Sequence, residues 1–144
     1  MIVYFDTSAI VPIVIEEETS AAGTRLWQQA DRVISSRLVY AEARATLAMA
    51  GRLGRLDDQN LRDAVSGLES LVADLDMVEA TDRLIRRAGE LAESFGLRGY
   101  DPVHLASAEL ANDADLVVAA GDHSLLQAAK TLGLGIANLR DIPS

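Results

Sequence analysis

Two aspartates stand directly after short apolar segments that are typical of buried strands. Asp6 follows the segment Ile2–Phe5, and Asp122 follows residues 116–119 after a turn at Gly121. In an open parallel sheet, ligands bind beyond the carboxyl ends of the strands. If both strands run parallel, the two carboxylates lie at the same edge of the sheet, where they can bind a cation.

Two further acids lie near the starts of predicted helices. Asp101 opens the stretch "YDPVHLASAEL", after the loop "GLRGY". Glu42 lies in "LVYAEARATLAMA", and at 100° per residue its nearest neighbours on the helix are apolar or small: Leu38, Ala45, Thr46 and Met49. Glu42 is therefore carried on the apolar stripe of its helix. We predict that all four acids converge on one site.

Each acid also has a purely structural explanation. Asp6 and Asp122 suit helix N-caps or polar strand ends, and Asp101 followed by Pro102 suits an N-cap with proline at the first helical position. Glu42 can be paired with an arginine. Taken singly, these explanations are the better ones. Together they account poorly for an acid on the apolar stripe of a helix.

Four convergent carboxylates would require a cation. Two like charges about 5 Å apart repel by roughly 3 kcal/mol at an effective dielectric constant near 20. The chain has no cysteine and only two histidines, so oxygen ligands dominate and favour Mg²⁺ or Mn²⁺ over Zn²⁺. Such an ion leaves positions open to water and to a phosphate oxygen, and it lowers the pKa of bound water. The predicted chemistry is metal-assisted hydrolysis.

The elements that must position these acids alternate along the chain. Predicted strands cover 2–5, 33–35, 77–79, 116–119 and, more weakly, 136–139; predicted helices cover 20–30, 38–50, 57–73, 82–95, 102–112 and 123–132, with a short helical insertion at 9–15. Apolar strands separated by helices are typical of a parallel sheet covered on both faces. We predict an α/β fold, a three-layer α/β/α sandwich with a central parallel sheet of four to five strands, as a single domain over residues 1–144.

Composition narrows the class of protein further. The longest apolar stretch, 9–15, is too short for a membrane span and contains Pro12. The N-terminus lacks the basic segment of a secretory signal, so we expect a cytoplasmic protein with no membrane partner. A formal net charge of −9 opposes contact with phosphates through a basic surface, which leaves a cation as the means of approaching a phosphate.

Three stretches of the chain carry a resemblance to a known family: "VYFDTSAIV", "LVYAEARATL" and "YDPVHLASAELANDADLVVAAGDHSLLQAAKTLGL". In this order they resemble the PIN-domain ribonucleases, and the length of the chain resembles the VapC-type toxins of bacterial toxin–antitoxin pairs. The family's acids fall on Asp6, Glu42, Asp101 and Asp122. The resemblance implies Mg²⁺-dependent endonucleolytic hydrolysis of RNA, with Mn²⁺ as a substitute, that leaves a 3′ hydroxyl and a 5′ phosphate.

The resemblance also implies roles and partners. It makes all four acids catalytic and identifies Asp6, Asp101 and Asp122 as metal ligands, with Glu42 holding water or a second cation. Ser8 would help to organise the metal and water. Implied partners are an RNA substrate, a VapB-like antitoxin and a second copy in a homodimer. One departure is Ala120, which stands where the family has Thr or Ser and therefore removes a hydroxyl contact.

Two further residues are candidates for contact with RNA. Arg98 lies in the loop before Asp101, where a guanidinium can bind phosphate. His104 lies 60° from Asp101 around the same predicted helix, although a helical histidine is also commonly packed or capping.

Other functions stay open. A PIN fold can process RNA without acting as a toxin, or serve as a catalytically silent interaction module. The missing hydroxyl at Ala120 leaves the silent module as an alternative. A receiver domain needs paired acids after its first strand, and a haloacid-dehalogenase-like phosphatase needs D-x-D there. The chain has D-T-S at that position, which excludes both.

Overall fold

A computed structural model describes residues 1–141; residues 142–144, which the sequence analysis includes in the predicted domain, lie outside the described residues. Strands and helices alternate along the described chain. In order they are β1 Ile2–Phe5, α1 Thr7–Val14, α2 Ser20–Gln29, β2 Arg32–Ser36, α3 Val39–Arg52, α4 Asp58–Asp74, β3 Asp76–Val78, α5 Asp82–Phe95, α6 Asp101–Leu110, β4 Leu116–Ala120, α7 His123–Thr131 and β5 Gly135–Asn138.

The five strands form one sheet in the order β3-β2-β1-β4-β5, and every neighbouring pair is parallel. Side chains alternate between its two faces because successive residues of a strand point in opposite directions. On β1, Tyr4 packs into the cluster formed with α5, α6 and α7. Val3 and Phe5 pack into the cluster formed with α1 to α4. The predicted three-layer α/β/α fold is confirmed, with five strands.

The strand order places a crevice beside β1. The chain leaves β1 toward β2 and β3 on one side, and later crosses to β4 and β5 on the other. In doubly wound sheets, the point at which the strand order reverses is where ligands bind, beyond the carboxyl ends of the strands. Asp6 and Asp122 follow the two strands, β1 and β4, that flank this point.

The observed elements begin and end within two residues of the predicted ones, and two differences concern the acids. Helix α1 begins at Thr7 and not at residue 9, because the carbonyl of Asp6 accepts the N–H groups of Ala9 and Ile10 at 3.0 and 3.1 Å. Helix α6 begins at Asp101, with Tyr100 as its N-cap. The explanation of Asp101 as an N-cap is therefore wrong, because its carboxylate lies one position inside the helix.

Within residues 1–141, no helix has both the length and the hydropathy that crossing a membrane requires.

Gly135 and Gly89 form a matched pair for testing the packing of the sheet edge. A Cβ at Gly135 would lie 2.9 Å from the carbonyl oxygen of Leu116 on β4, whereas a Cβ at Gly89 in α5 meets nothing within 4 Å. We expect Gly135→Ala to lower the free energy of unfolding by about 1–3 kcal/mol and Gly89→Ala to raise it by about 1 kcal/mol. Urea denaturation measures both. Equal stability of the two variants would contradict the close approach of β5 to β4.

Candidate active site

The four acids identified from the sequence line one cleft of about 370 Å³. Asp6 enters it from the end of β1 and Asp122 from the loop after β4, while Glu42 and Asp101 enter from the first turns of α3 and α6. Hydroxyl groups complete much of the polar lining: Thr7, Ser8, Thr19 and Thr46. A fifth carboxylate, that of Glu17, also lines the cleft and pairs with Arg55 at 3.6 Å. The structure thus brings the four acids together, and their catalytic and metal-binding roles stay predictions.

Asp6 is the most deeply buried of the four carboxylates, with 3% of the residue exposed. Ser8 Oγ donates a hydrogen bond to Asp6 Oδ1 at 2.7 Å and accepts one from the Gly121 N–H at 2.9 Å. Burial raises the pKa of Asp6 to about 6; the charge of His104 and the bond from Ser8 oppose this rise, and the charge of Asp101 adds to it. Ser8 therefore ties the end of β1 to the turn after β4.

Glu42 is held by a buried histidine and not by the arginine that the structural explanation proposed. His104 Nε2 donates to Glu42 Oε1 at 2.7 Å and lies 3.2 Å from Thr7 Oγ1. The other ring nitrogen, Nδ1, is hydrogen bonded to the Tyr4 hydroxyl at 2.8 Å. With 1% of its surface exposed, His104 lies beneath the acids, so the prediction that it contacts RNA directly is wrong.

Electrostatic interactions couple His104 to the carboxylates above it. Burial alone lowers its pKa, but the hydrogen bond to Glu42 and the charges of Asp6 and Asp101 outweigh burial, so the pKa of His104 is raised. The Tyr4 hydroxyl stays protonated because burial raises its pKa far above the ordinary value. The side chains of Tyr4 and His104, whose pKa values are both raised, therefore lie beneath the acidic cleft.

Asp101 and Asp122 have different surroundings. Asp122 Oδ1 accepts the N–H of Leu125 at 2.9 Å, so Asp122 does cap α7, as its structural explanation proposed, while also lining the cleft. Within the described residues, no protein group donates a hydrogen bond to the Asp101 carboxylate. Burial and the charges of Asp122 and Glu42 raise the pKa of Asp101, against the lowering effect of His104. Asp101 therefore has lone pairs available for a ligand.

The structure distinguishes two arginines near the site. Arg98 is exposed, and its carbonyl accepts the Asp101 N–H at 3.2 Å; its contact with phosphate stays a prediction. Arg140, which the sequence analysis missed, lines the cleft, and its Nε donates to the carbonyl of Gly121 at 3.1 Å. Arg140 lies two residues after the end of β5, as Asp122 does after β4, so applying the strand-end rule to the fifth strand would have found it.

Ala120, the departure from the family pattern, is the last residue of β4. Its side chain is fully buried in the cluster that contains Tyr4 and Leu126, on the α5–α7 face of the sheet. Ser8 supplies a hydroxyl to the turn that follows, through its bond with the Gly121 N–H. The hydroxyl contact at this turn therefore comes from α1.

The side chains of the cleft fit a hydrated, hard divalent cation. Within residues 1–141, no three carboxylate or imidazole groups are close enough together to hold an ion by direct contact alone. Mg²⁺ usually contacts one or two carboxylates and keeps several of its waters, and the cleft of about 370 Å³ has room for them. The raised pKa values of Asp6 and Asp101 indicate negative charge that the protein leaves partly uncompensated.

Comparison with known proteins agrees with this architecture. The PIN domain family matches residues 3–131. The chain belongs to the PIN-domain family. Ribonuclease VapC45 of Mycobacterium tuberculosis is 42% identical over 136 residues, which is 94% of each protein. The resemblance to the VapC-type PIN proteins is therefore confirmed.

Two solved structures share the fold of this PIN-domain chain. FitAcB from Neisseria gonorrhoeae has a TM-score of 0.72 at 17% identity and matches 97% of this chain and 99% of its own. A toxin–antitoxin complex from Klebsiella pneumoniae has a TM-score of 0.61 at 16% identity, with 97% and 99% covered. At these identities the two structures show the fold alone.

Replacing Asp6 by Asn is expected to stabilise the metal-free protein. The pKa of Asp6 is about 6 in the folded state against an ordinary 3.8, so folded protein binds more protons between these values and loses stability as pH rises through them. At pH 8 in EDTA, we expect Asp6→Asn to be about 2–3 kcal/mol more stable than wild type, and to lose this advantage below about pH 4. Urea denaturation at both pH values measures the difference.

The exposed Asp63 on α4 provides the control for this experiment. Asp63→Asn removes the same charge outside the cleft, so its stability should follow that of wild type at both pH values. An Asp6→Asn variant that is no more stable than Asp63→Asn at pH 8 would contradict the uncompensated burial of the Asp6 carboxylate.

Proposed function

We propose that this protein is an endoribonuclease that hydrolyses RNA phosphodiester bonds with Mg²⁺, or Mn²⁺ as a substitute, and acts in the cytoplasm as the toxin of a toxin–antitoxin pair. The observation that carries the proposal is the convergence of four carboxylates in one cleft at the switch point of the sheet. The 42% identity to a protein named a ribonuclease supports RNA as the substrate. Phosphate chemistry in so acidic a cleft calls for a cation.

The protein groups have separable tasks in this proposal. Asp6, Asp101 and Asp122 would hold the cation, and Glu42 would hold water beside it. When bound, the cation would supply positive charge beside the carboxylates and polarise the phosphate and the water. Ser8 orients the Asp6 carboxylate through its 2.7 Å bond. Asp101, which receives no hydrogen bond from the described protein groups, can accept one from the attacking water.

Purified protein is expected to cut RNA with Mg²⁺ or Mn²⁺ and to stop when EDTA is added. Asp6→Asn and Asp101→Asn should each lower the cleavage rate by about 100-fold or more, because each removes a charge from the reacting centre. Asp63→Asn, which changes an acid outside the cleft, should cleave like wild type. Gel analysis of end-labelled RNA measures the rates and identifies the 3′ hydroxyl and 5′ phosphate ends.

The same variants separate the proposed functions in cells. Wild type should arrest growth on expression, Asp6→Asn and Asp101→Asn should not, and co-expression of a VapB-like antitoxin should restore growth. The fold shared with a toxin–antitoxin complex supports such a partner. RNA cleavage without growth arrest would favour RNA processing, whereas wild type that neither cuts RNA nor arrests growth would leave a silent interaction module.

Arg140 is the basic residue among those that line the cleft in the described chain. Its Nε is engaged by the Gly121 carbonyl, which orients the guanidinium and leaves its remaining N–H groups available. Its ion pair with Glu18, whose side chain is 88% exposed, spans 3.7 Å and is therefore weak. We infer that Arg140 contacts a phosphate of the bound RNA, a task for which the sequence had indicated Arg98.

Arg140→Ala is expected to raise KM for RNA about 10-fold and to reduce the slope of log KM against log salt concentration by about 0.7–1, because one phosphate contact is lost. Arg140→Lys should recover part of the loss. Arg98→Ala, which removes a guanidinium outside the cleft lining, should have a smaller effect on both quantities. Cleavage rates measured at several NaCl concentrations make the comparison, and a larger effect at Arg98 would move the phosphate contact to that loop.

A further inference from the structure

One buried imidazole joins three elements beneath the cleft. His104, on α6, contacts Tyr4 of β1, Thr7 of α1 and Glu42 of α3 at 2.8, 3.2 and 2.7 Å. The ring is 1% exposed, so RNA and bulk solvent do not reach it. All of its polar contacts are therefore with the protein.

The orientation of the Glu42 carboxylate depends on its contact with His104, whereas Asp6 and Asp122 are oriented by groups close to them in the sequence. Asp6 is held by Ser8, two residues along the chain, and Asp122 by the N–H of Leu125 in the turn it caps. Glu42 has a longer side chain, so ordering it costs more conformational entropy than ordering an aspartate, and the histidine that binds it is 62 positions away in the sequence. A hydrogen bond to a charged group is stronger than one between neutral groups, so this contact favours one rotamer of Glu42.

Tyr4 in turn fixes the histidine ring. The Tyr4 residue is fully buried, and the two rings meet edge to face with centroids 5.8 Å apart. Its hydroxyl engages Nδ1, which leaves Nε2 to face Glu42. Because Tyr4 lies two residues before Asp6 on the central strand, the same rigid element sets the position of Asp6 and the direction of the ring.

We propose that His104 is a positioning residue: Nε2 of its ring holds the Glu42 carboxylate in its working orientation at the cleft, and Tyr4 holds the ring. This inference rests on the proposed nuclease function and extends it to a residue that touches neither RNA nor metal. Through the hydrogen bonds from Tyr4 to His104 and from His104 to Glu42, the position of β1 determines the orientation of the carboxylate on α3.

Two amide replacements of His104 separate its two contacts. The side-chain N–H of Gln lies near the position of Nε2 and can still donate to Glu42, whereas that of Asn lies near Nδ1 and reaches only toward Tyr4. We expect His104→Asn to lower kcat 10- to 100-fold, as loss of a group that orients an active-site ligand does, with KM for RNA changed less than threefold. His104→Gln should recover most of the lost kcat, and Tyr4→Phe should fall between them.

Mn²⁺ binding to RNA-free protein, measured by isothermal titration calorimetry, gives a readout that does not depend on cleavage. His104→Asn should weaken Mn²⁺ binding about 10-fold in the wild-type background and have no further effect in the Glu42→Gln background, because a double-mutant cycle isolates the coupling between the two residues. If wild type binds Mn²⁺ but cuts no RNA, the proposed function fails while this cycle still tests the role of His104.

Leu68→Ala controls for loss of stability, because Leu68 is fully buried in the cluster on the opposite face of the sheet. It should lower the unfolding free energy without changing kcat or Mn²⁺ affinity under conditions in which the protein is folded. The proposal is overturned if His104→Gln and His104→Asn lose kcat equally, or if His104→Asn weakens Mn²⁺ binding as much in the Glu42→Gln background as in the wild-type background.

Discussion

Repulsion among the four predicted acids in one cleft, which Glu17 also lines, is the constraint on which the rest of this structure depends. Each acid lies at the start of a helix: Asp6 and Asp122 occupy the N-cap positions of α1 and α7, while Glu42 and Asp101 lie in the first turns of α3 and α6. Helix N-termini carry partial positive charge and stabilise nearby anions by about 0.3–1 kcal/mol each. A parallel α/β fold places several helix N-termini at one edge of its sheet, so carboxylates that meet at this edge are each partly stabilised.

Helix termini offset only part of the repulsion, and the remaining compensation is unequal. Ser8 and His104 act on Asp6 and Glu42, and the backbone of α7 acts on Asp122. Asp101 receives no hydrogen bond from the described protein groups, and its pKa is raised by burial and by the charges of Asp122 and Glu42. The cleft is thus organised from below and left open on the side from which a cation and a phosphate would approach.

The fold and the convergence of the acids were predictable from local pattern. Strand ends identify Asp6 and Asp122, and the helical wheel identifies Glu42, because its stripe must face the interior. The wheel also placed His104 beside Asp101, but its burial depends on Tyr4, which is 100 positions away in the sequence. Arg140 follows the weakly patterned β5, so the strand-end rule identifies it less clearly, and its contact with Gly121 is visible only in the tertiary structure.

Organisation around β1 also explains why this site should couple to the stability of the fold. Tyr4 faces one layer, Phe5 faces the other, and Asp6 follows at the end of the same strand, so the strand that joins both cores also carries a buried acid. Ionising that acid lowers the stability of the metal-free protein, while a cation that binds only the folded state raises it. The function proposed for Asp6 would therefore oppose stability, and the proposed cation, once bound, would offset the cost of burying this charge.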